Sequence, residues 1–476
     1  MQRSLLTLLL PLFLCTSVRA QLPGEWFAIL DAMGTELPLG IQLDEQDGAI
    51  TGSLVSPGQS EARFDFTTSS FDGQRLQFTL NDLGASFSGV LDGKELRGVF
   101  NQARVDFPLT FYRYRPQGYP VSDGPVTITQ RSQQPTDFPY EREAVTFPGG
   151  AAGVTLAGEL TLPTKGKPRA AIILVSGSGP QDRNSYLGSQ INHSPFLVLS
   201  DYLTREGYAV LRYDDRGVGE STGDHNGATT RDFGADAGAA VDYLKQRKDF
   251  RKIAIGMAGH SEGGLIAPIV AAENEDLDFV ILLAAPGVPI DSLMLEQRRQ
   301  VGTATGMPAQ LIARDEPGLR SAYTFIKESP ALDQDRYVDG LYALFEKRMD
   351  NLPTALRNSI KDPRAFNAQY VVPLSNPWLR SFLAMDPTPY LEKLTIPTLA
   401  INGLKDTQVA AESNLNGISI AMAKNGNKDA TVLPLPGLNH LFQPADTGAP
   451  NEYGTIETTF DPLALEMIGN WLNERF

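Results

Sequence analysis

The stretch Ile253-Ala-Ile-Gly-Met-Ala-Gly-His-Ser261-Glu-Gly-Gly-Leu-Ile-Ala267 constrains this chain more than any other. Residues 253–258 are an apolar run ending in small residues, which suits a buried strand. Gly259-His-Ser261-Glu-Gly263 then matches Gly-x-Ser-x-Gly, and Gly263 to Asn274 reads as a helix with Leu265, Ile266, Ile269 and Val270 as its apolar positions. Strand, sharp turn and helix are the context in which a serine is held exposed as a nucleophile. Positions two before and two after that serine must lack bulk where strand and helix cross, which explains the glycines.

The chain around this element divides into unlike parts. Residues 1–20 have a basic start, an apolar stretch and a Val18-Arg-Ala20 end. They read as a secretory signal peptide cut between Ala20 and Gln21, and the expected location is periplasmic or extracellular in a bacterium. The apolar stretch is too short to span a membrane, and no later segment has about 18 uninterrupted apolar residues. A lipoprotein site at Cys15 is disfavoured by bulky Leu14 before it. Cys15 is the only cysteine, so the mature chain has no disulfide and depends on its core. The net charge of −15 becomes more negative once Arg3 and Arg19 are removed. Such acidity disfavours nucleic acid and anionic membranes as partners.

Residues 21–115 read as a small all-β domain, a barrel or sandwich. Alternation is visible in Phe64-Asp-Phe66, Leu76-Gln-Phe78-Thr-Leu80 and Phe87-Ser-Gly-Val-Leu91, punctuated by Asp47-Gly48, Pro57-Gly58, Asp72-Gly73 and Asp92-Gly93. Residues 116–140 are rich in Pro, Ser, Gln and Thr and read as a linker. From 141 to 476 a hairpin (Glu141–Phe147, Val154–Leu162) precedes alternating strands and helices. The strands are Ala170–Val175, Ala209–Tyr213, Phe279–Ala285, Thr398–Asn402 and Ala430–Leu433; the helices are Pro195–Glu206, Asp232–Gln246, Val409–Lys424 and Pro462–Asn473. Continuous apolar strands between helices imply an α/β fold, a mostly parallel sheet covered on both faces. Residues 287–385 break the rhythm as a helical cap insertion, with helical pieces Ser292–Thr303, Ala309–Ala313 and Tyr337–Lys347. Its Trp378, Leu379, Phe382 and Leu383 are candidates to line an acyl pocket, or simply to pack inside the cap.

A serine hydroxyl needs a neighbouring base. Of the four histidines, His193 and His225 precede Ser261 and His260 adjoins it pointing the wrong way. His440, past a strand end, is therefore the expected base. Asp406, four residues beyond Asn402, is the expected acid; its other reading is a cap of the next helix, and Glu412 is a weaker competitor. The oxyanion donors are expected at the backbone N–H of Glu262 and of Ser178, with Gly177 as alternative, in the loop Val175–Arg183. Asp214-Asp-Arg-Gly217 lacks the Lys-Ser/Thr of a phosphate loop and reads as a salt-bridged turn near the site. No zinc-ligand spacing and no dinucleotide fingerprint follow, so neither metal nor cofactor is implied.

With these pieces in this order, residues 140–476 resemble the α/β-hydrolase superfamily. The chain is particularly similar to secreted bacterial serine esterases that resemble the catalytic domains of prolyl-oligopeptidase-like and acylaminoacyl peptidases. The matching stretches are Gly177-Ser-Gly-Pro-Gln-Asp-Arg183, Asp214-Asp-Arg-Gly217, Gly259-His-Ser-Glu-Gly263, Asn402–Asp406 and Gly437-Leu-Asn-His440. The resemblance implies hydrolysis of a small-molecule carboxylic ester through an acyl-enzyme, with Ser261, Asp406 and His440 as triad. Two other readings stand beside it: an exo-peptidase or amidase, and a non-catalytic binding protein on a hydrolase scaffold. The oligomeric state is left open.

Overall fold

The computed structural model describes residues 22–476 apart from 33–34, 47–48, 58–59, 103–104, 117–118, 120–130, 351, 353 and 425. The expected signal peptide, the expected Asp47-Gly48 turn, Gly58 and much of the expected linker lie outside the described residues.

Two sheets organise the chain. The first contains nine described strands: β1 (Gly24–Ala32), β2 (Thr35–Gln46), β3 (Ala49–Ser56), β4 (Ser60–Asp65), β5 (Thr68–Phe71), β6 (Arg75–Leu80), β7 (Ala85–Asp92), β8 (Glu95–Gln102) and β9 (Val105–Tyr112). They run antiparallel in the order β4-β3-β2-β1-β9-β8-β7-β6-β5. The two ends of that order, β4 and β5, are consecutive in the chain and joined by Phe66-Thr67, so the sheet curls round on itself. The Phe66 N–H donates to Gly52 O at 2.8 Å and the Ser69 hydroxyl reaches Ile50 O, tying β5 towards β3. The result is a half-barrel, open between β4 and β5 among the described residues and related to one of the two forms expected. Alternation puts Leu76, Phe78, Leu80, Phe87, Phe100 and Phe111 inside, each almost fully buried. At the Asp72-Gly73 turn, the Asp72 carboxylate accepts the N–H groups of Gln74 and Arg75, and Gly73 has φ +98°.

The second sheet has the order β10-β11-β13-β12-β14-β15-β16-β17, with β10 (Glu141–Pro148), β11 (Thr155–Leu162), β12 (Ala170–Val175), β13 (Ala209–Tyr213), β14 (Ala254–His260), β15 (Phe279–Leu283), β16 (Thr398–Gly403) and β17 (Ala430–Leu435). The opening hairpin is antiparallel; β13 to β17 run parallel. Every residue of β12, β13, β15 and β16 is buried, as strands covered on both faces must be. One face packs against helices Thr230–Gln246, Glu262–Glu273 and Ala411–Lys424, the other against Pro195–Arg205 and Pro462–Asn473.

The insertion between β15 and β16 is helical throughout its described length, with helices Ile290–Ala304, Ala309–Glu328, Gln334–Met349, Thr354–Ser359, Pro363–Leu374, Pro377–Leu383 and Thr388–Leu391. The second is far longer than the expected Ala309–Ala313. It passes through Pro317, because Ala322, Tyr323 and Ile326 bury one face and Asp315 binds Arg298, Arg314 and Arg348 around the kink position. Barrel and cap share one apolar cluster, and β9 lies against the cap helix Pro363–Leu374. The barrel therefore sits on the cap rather than on the central sheet. The stretch just before the hairpin is not a free spacer. Arg131 donates to the Ile191 and Gly454 carbonyls, and Gln133 bonds both the N–H and the C=O of Phe460.

Candidate active site

β14 ends at His260, and Ser261 turns the chain with φ +56° and ψ −118° before the helix Glu262–Glu273 begins. A non-glycine residue there is strained, and the neighbours explain what holds it. A Cβ on Gly259 would sit 2.0 Å from Gly263 O, and one on Gly263 would sit 2.2 Å from Val175 O. The glycines are therefore where backbone meets backbone, as the spacing required. Gly177, in the loop after β12, lies on the serine itself: its Cβ would be 3.1 Å from the Ser261 Cβ.

Asp406 stands in the loop after β16, and both carboxylate oxygens are occupied. Oδ1 accepts the N–H groups of Gln408 and Val409 at 2.8 and 2.9 Å, while Oδ2 accepts from His440 Nδ1 at 2.8 Å. Its two oxygens thus serve two neighbours, one capping the turn before Ala411–Lys424 and one holding an imidazole. Asp406 and His440 are 2% and 4% exposed. The His440 loop is pinned by Asn439, whose side-chain oxygen accepts from Leu441 N–H and Gln443 N–H and whose amide donates to Gln443. With Nδ1 directed at Asp406, Nε2 is the nitrogen left for other chemistry. Ser261, His440, Gly177, Ser178 and Glu262 all border one cavity of about 390 Å³. Glu412, the competitor to Asp406, lies on the helix Ala411–Lys424 beside a separate surface depression.

His260 does more than point away. Its Nε2 lies 2.9 Å from the His440 carbonyl oxygen, so Nε2–H donates there and the ring is neutral. Burial, reinforced by the neighbouring His440, takes its pKa down to about 3. His193 is also structural, bonded to Thr459 and to the Ile456 carbonyl, and His225 stacks on Phe233.

The Asp214-Asp-Arg-Gly217 segment is the salt-bridged turn expected. Asp214 pairs with Arg183 at 2.6 Å, and Arg216 with Asp236 at 2.6 Å. Asp215 props the loop after β12 by accepting from Ser176 Oγ and Gln181 N–H, each at 3.0 Å. Burial pushes its carboxyl up to about 8.

The cavity wall is largely apolar. Trp378 and Phe382 of the cap line it, stacked with ring centroids 5.1 Å apart, together with Leu293 and Met294. Leu379 and Leu383, also candidates, instead pack within the cap against the barrel cluster. Leu187, Ile191 and Tyr453 join the wall without any sequence signal, since they come from loops distant in the chain.

Comparison with known proteins finds hydrolases among the chain's relatives. The family model described as serine aminopeptidase, S33 matches residues 191–348. Esterase EstD of Thermotoga maritima is 24% identical over 334 residues, covering 70% of this chain and 68% of its own. Among solved structures, a Pyrococcus furiosus esterase is 17% identical and covers 71% of this chain and 93% of its own at a TM-score of 0.41. A proline iminopeptidase of Mycobacterium smegmatis is 17% identical, covering 70% and 100% at a TM-score of 0.40. The strand order, the serine turn after β14 and the Asp406–His440 pair after β16 and β17 carry the assignment. The chain has the α/β-hydrolase fold. Within this hydrolase domain the side chain of Glu262 is the feature that sequence reading missed. Only its N–H had been singled out, yet its carboxyl is 2% exposed and bonded to Thr230 Oγ1 at 2.6 Å and Trp378 Nε1 at 2.9 Å. A buried acid between Ser261 and glycine was visible in the motif, but nothing in the motif names its partners.

Proposed function

We propose that this chain is a serine esterase, cleaving carboxylic esters of small to medium acyl chains through an acyl-enzyme. The observation that carries the reading is the Asp406–His440 hydrogen bond of 2.8 Å at the wall of a cavity that the strained Ser261 also borders. In this reading His440 Nε2 takes the Ser261 proton as Oγ attacks the ester carbonyl. Asp406 fixes the tautomer and stabilises the imidazolium. The N–H groups of Glu262 and Ser178 receive the oxyanion; Glu262 opens a helix, where the first amides have no intrahelical partner. His440 then protonates the leaving alcohol, and water, activated by the same imidazole, releases the acid.

The cavity favours an acyl group over a peptide N-terminus. A volume of about 390 Å³ is at the small end of ligand pockets. Among the described residues, the one carboxylate bordering it is Glu262, which already serves Thr230 and Trp378 rather than a free α-amine. The description of the matching family model as serine aminopeptidase supports an exo-peptidase as the second reading, which a panel of aminoacyl anilides decides. Export is part of the proposal and rests on residues 1–20; a secreted product beginning at Gln21 is the expected mass.

The test is p-nitrophenyl butyrate turnover by wild type and Ser261→Ala. Loss on the order of 10⁵-fold or more is expected, together with loss of fluorophosphonate labelling. Undiminished turnover in the variant refutes the assignment, and a folded wild type that never labels revives the binding-protein alternative.

A further inference from the structure

Three structural elements meet at one buried carboxyl. Glu262 directly follows the serine. Its Oε1 accepts from Thr230 Oγ1 at 2.6 Å, at the start of the helix Thr230–Gln246, and from Trp378 Nε1 at 2.9 Å, on the cap helix Pro377–Leu383. The Ser178 hydroxyl, in the loop after β12, also lies beside this carboxyl, and both residues border the cavity. Thr230 is fully buried and Glu262 is 2% exposed. A buried carboxyl with two directed donors on one oxygen is well fixed. Trp378 belongs to the cap and forms part of the cavity wall. Ser178 belongs to the loop that faces the nucleophile.

We propose that Glu262 is a positioning residue whose carboxyl couples the seating of the cap, through Trp378, to the placement of the Ser178 loop beside the nucleophile. An acyl chain long enough to press on Trp378 then improves the alignment of the oxyanion donors. A chain too short to reach it does not. The benefit falls on the chemical step rather than on ground-state binding, so acyl length is read in kcat more than in KM. This inference rests on the esterase reading of the same cavity.

The experiment compares p-nitrophenyl acetate with p-nitrophenyl hexanoate. The proteins are wild type, Trp378→Phe, which keeps the ring and removes the N–H, Glu262→Gln, which keeps the shape and the backbone N–H, and the double variant. For each single variant, kcat on the hexanoate falls about tenfold, the scale of one buried hydrogen bond left unmade, while KM moves by less than about twofold and kcat on the acetate falls less. The double variant is no worse than the poorer single one, because both changes cut the same link. Equal losses on both esters, a change confined to KM, or multiplicative losses in the double variant each overturn the coupling. If Glu262→Gln does not fold, the Trp378→Phe profile decides alone. A wild type that neither labels with fluorophosphonate nor turns over removes the esterase reading and the coupling together; a labelled, active wild type with an unaltered Trp378→Phe removes the coupling only.

Discussion

The two sheets of this protein solve the same packing problem in opposite ways. The barrel turns one face inward: in β6 and β7 buried residues alternate with exposed or half-buried ones, and the apolar set closes over itself. The central sheet buries both faces, so β12, β13, β15 and β16 have no exposed position. An alternating strand spends its outward residues on water. A wholly buried one can present chemistry only at its ends, and all the proposed catalytic groups stand past the carboxyl ends of β12, β14, β16 and β17. None comes from the barrel, which reaches the site through the cap.

Asp406→Asn breaks this contrast most sharply. It keeps the shape of the turn but presents the wrong partner to His440 Nδ1, so kcat falls on the order of 10⁴-fold with melting temperature nearly unchanged, as steady-state assays and thermal unfolding will read. A matched pair of glycine substitutions sharpens it further. A Cβ at Gly263 meets Val175 O at 2.2 Å, and one at Gly98 in β8 meets Ser88 O at 2.2 Å. Each alanine variant loses about 3 kcal/mol, near the upper end for overpacking. Only Gly263→Ala also loses kcat per folded molecule, measured by active-site titration; equal kcat losses would mean that the barrel shapes the site directly.

A pH-dependent effect concerns Asp215. Its carboxyl ionises near the usual acidic value in the unfolded chain and near 8 when folded, because it is buried. Between those limits folding takes up a proton, so this group makes the protein less stable as pH rises from about 4 to about 8, and adds no further dependence above. Asp215→Asn lacks that dependence while still accepting the Gln181 N–H. Its melting temperature gains on wild type across the window, and parallel curves at pH 5 and pH 8.5 would show that the carboxyl is already ionised.

What could be read in the sequence follows the same contrast. The turn around Ser261 was legible because its glycines are forced by backbone crowding, and Asp406 and His440 because strand ends and chain order leave few candidates. The helix Pro462–Asn473 was legible to the residue, with Asp461 capping it and proline at its first position. The cap was not. Pro317-Gly318 looks like a stop, and only the buried Asp315 ion cluster and the face of Ala322, Tyr323 and Ile326 keep that helix running. The cavity wall contributed by Leu187, Ile191 and Tyr453 was equally silent, since a loop residue acquires an apolar neighbour only when distant segments meet.

The joining of β4 to β5 has a consequence for self-association. A sheet whose outermost strands are successive in the chain holds its two edges close together, which leaves a stranger's strand little room to extend either. Such shielding guards the folding intermediate: the module made first can cover its own edges before the long α/β portion has finished threading.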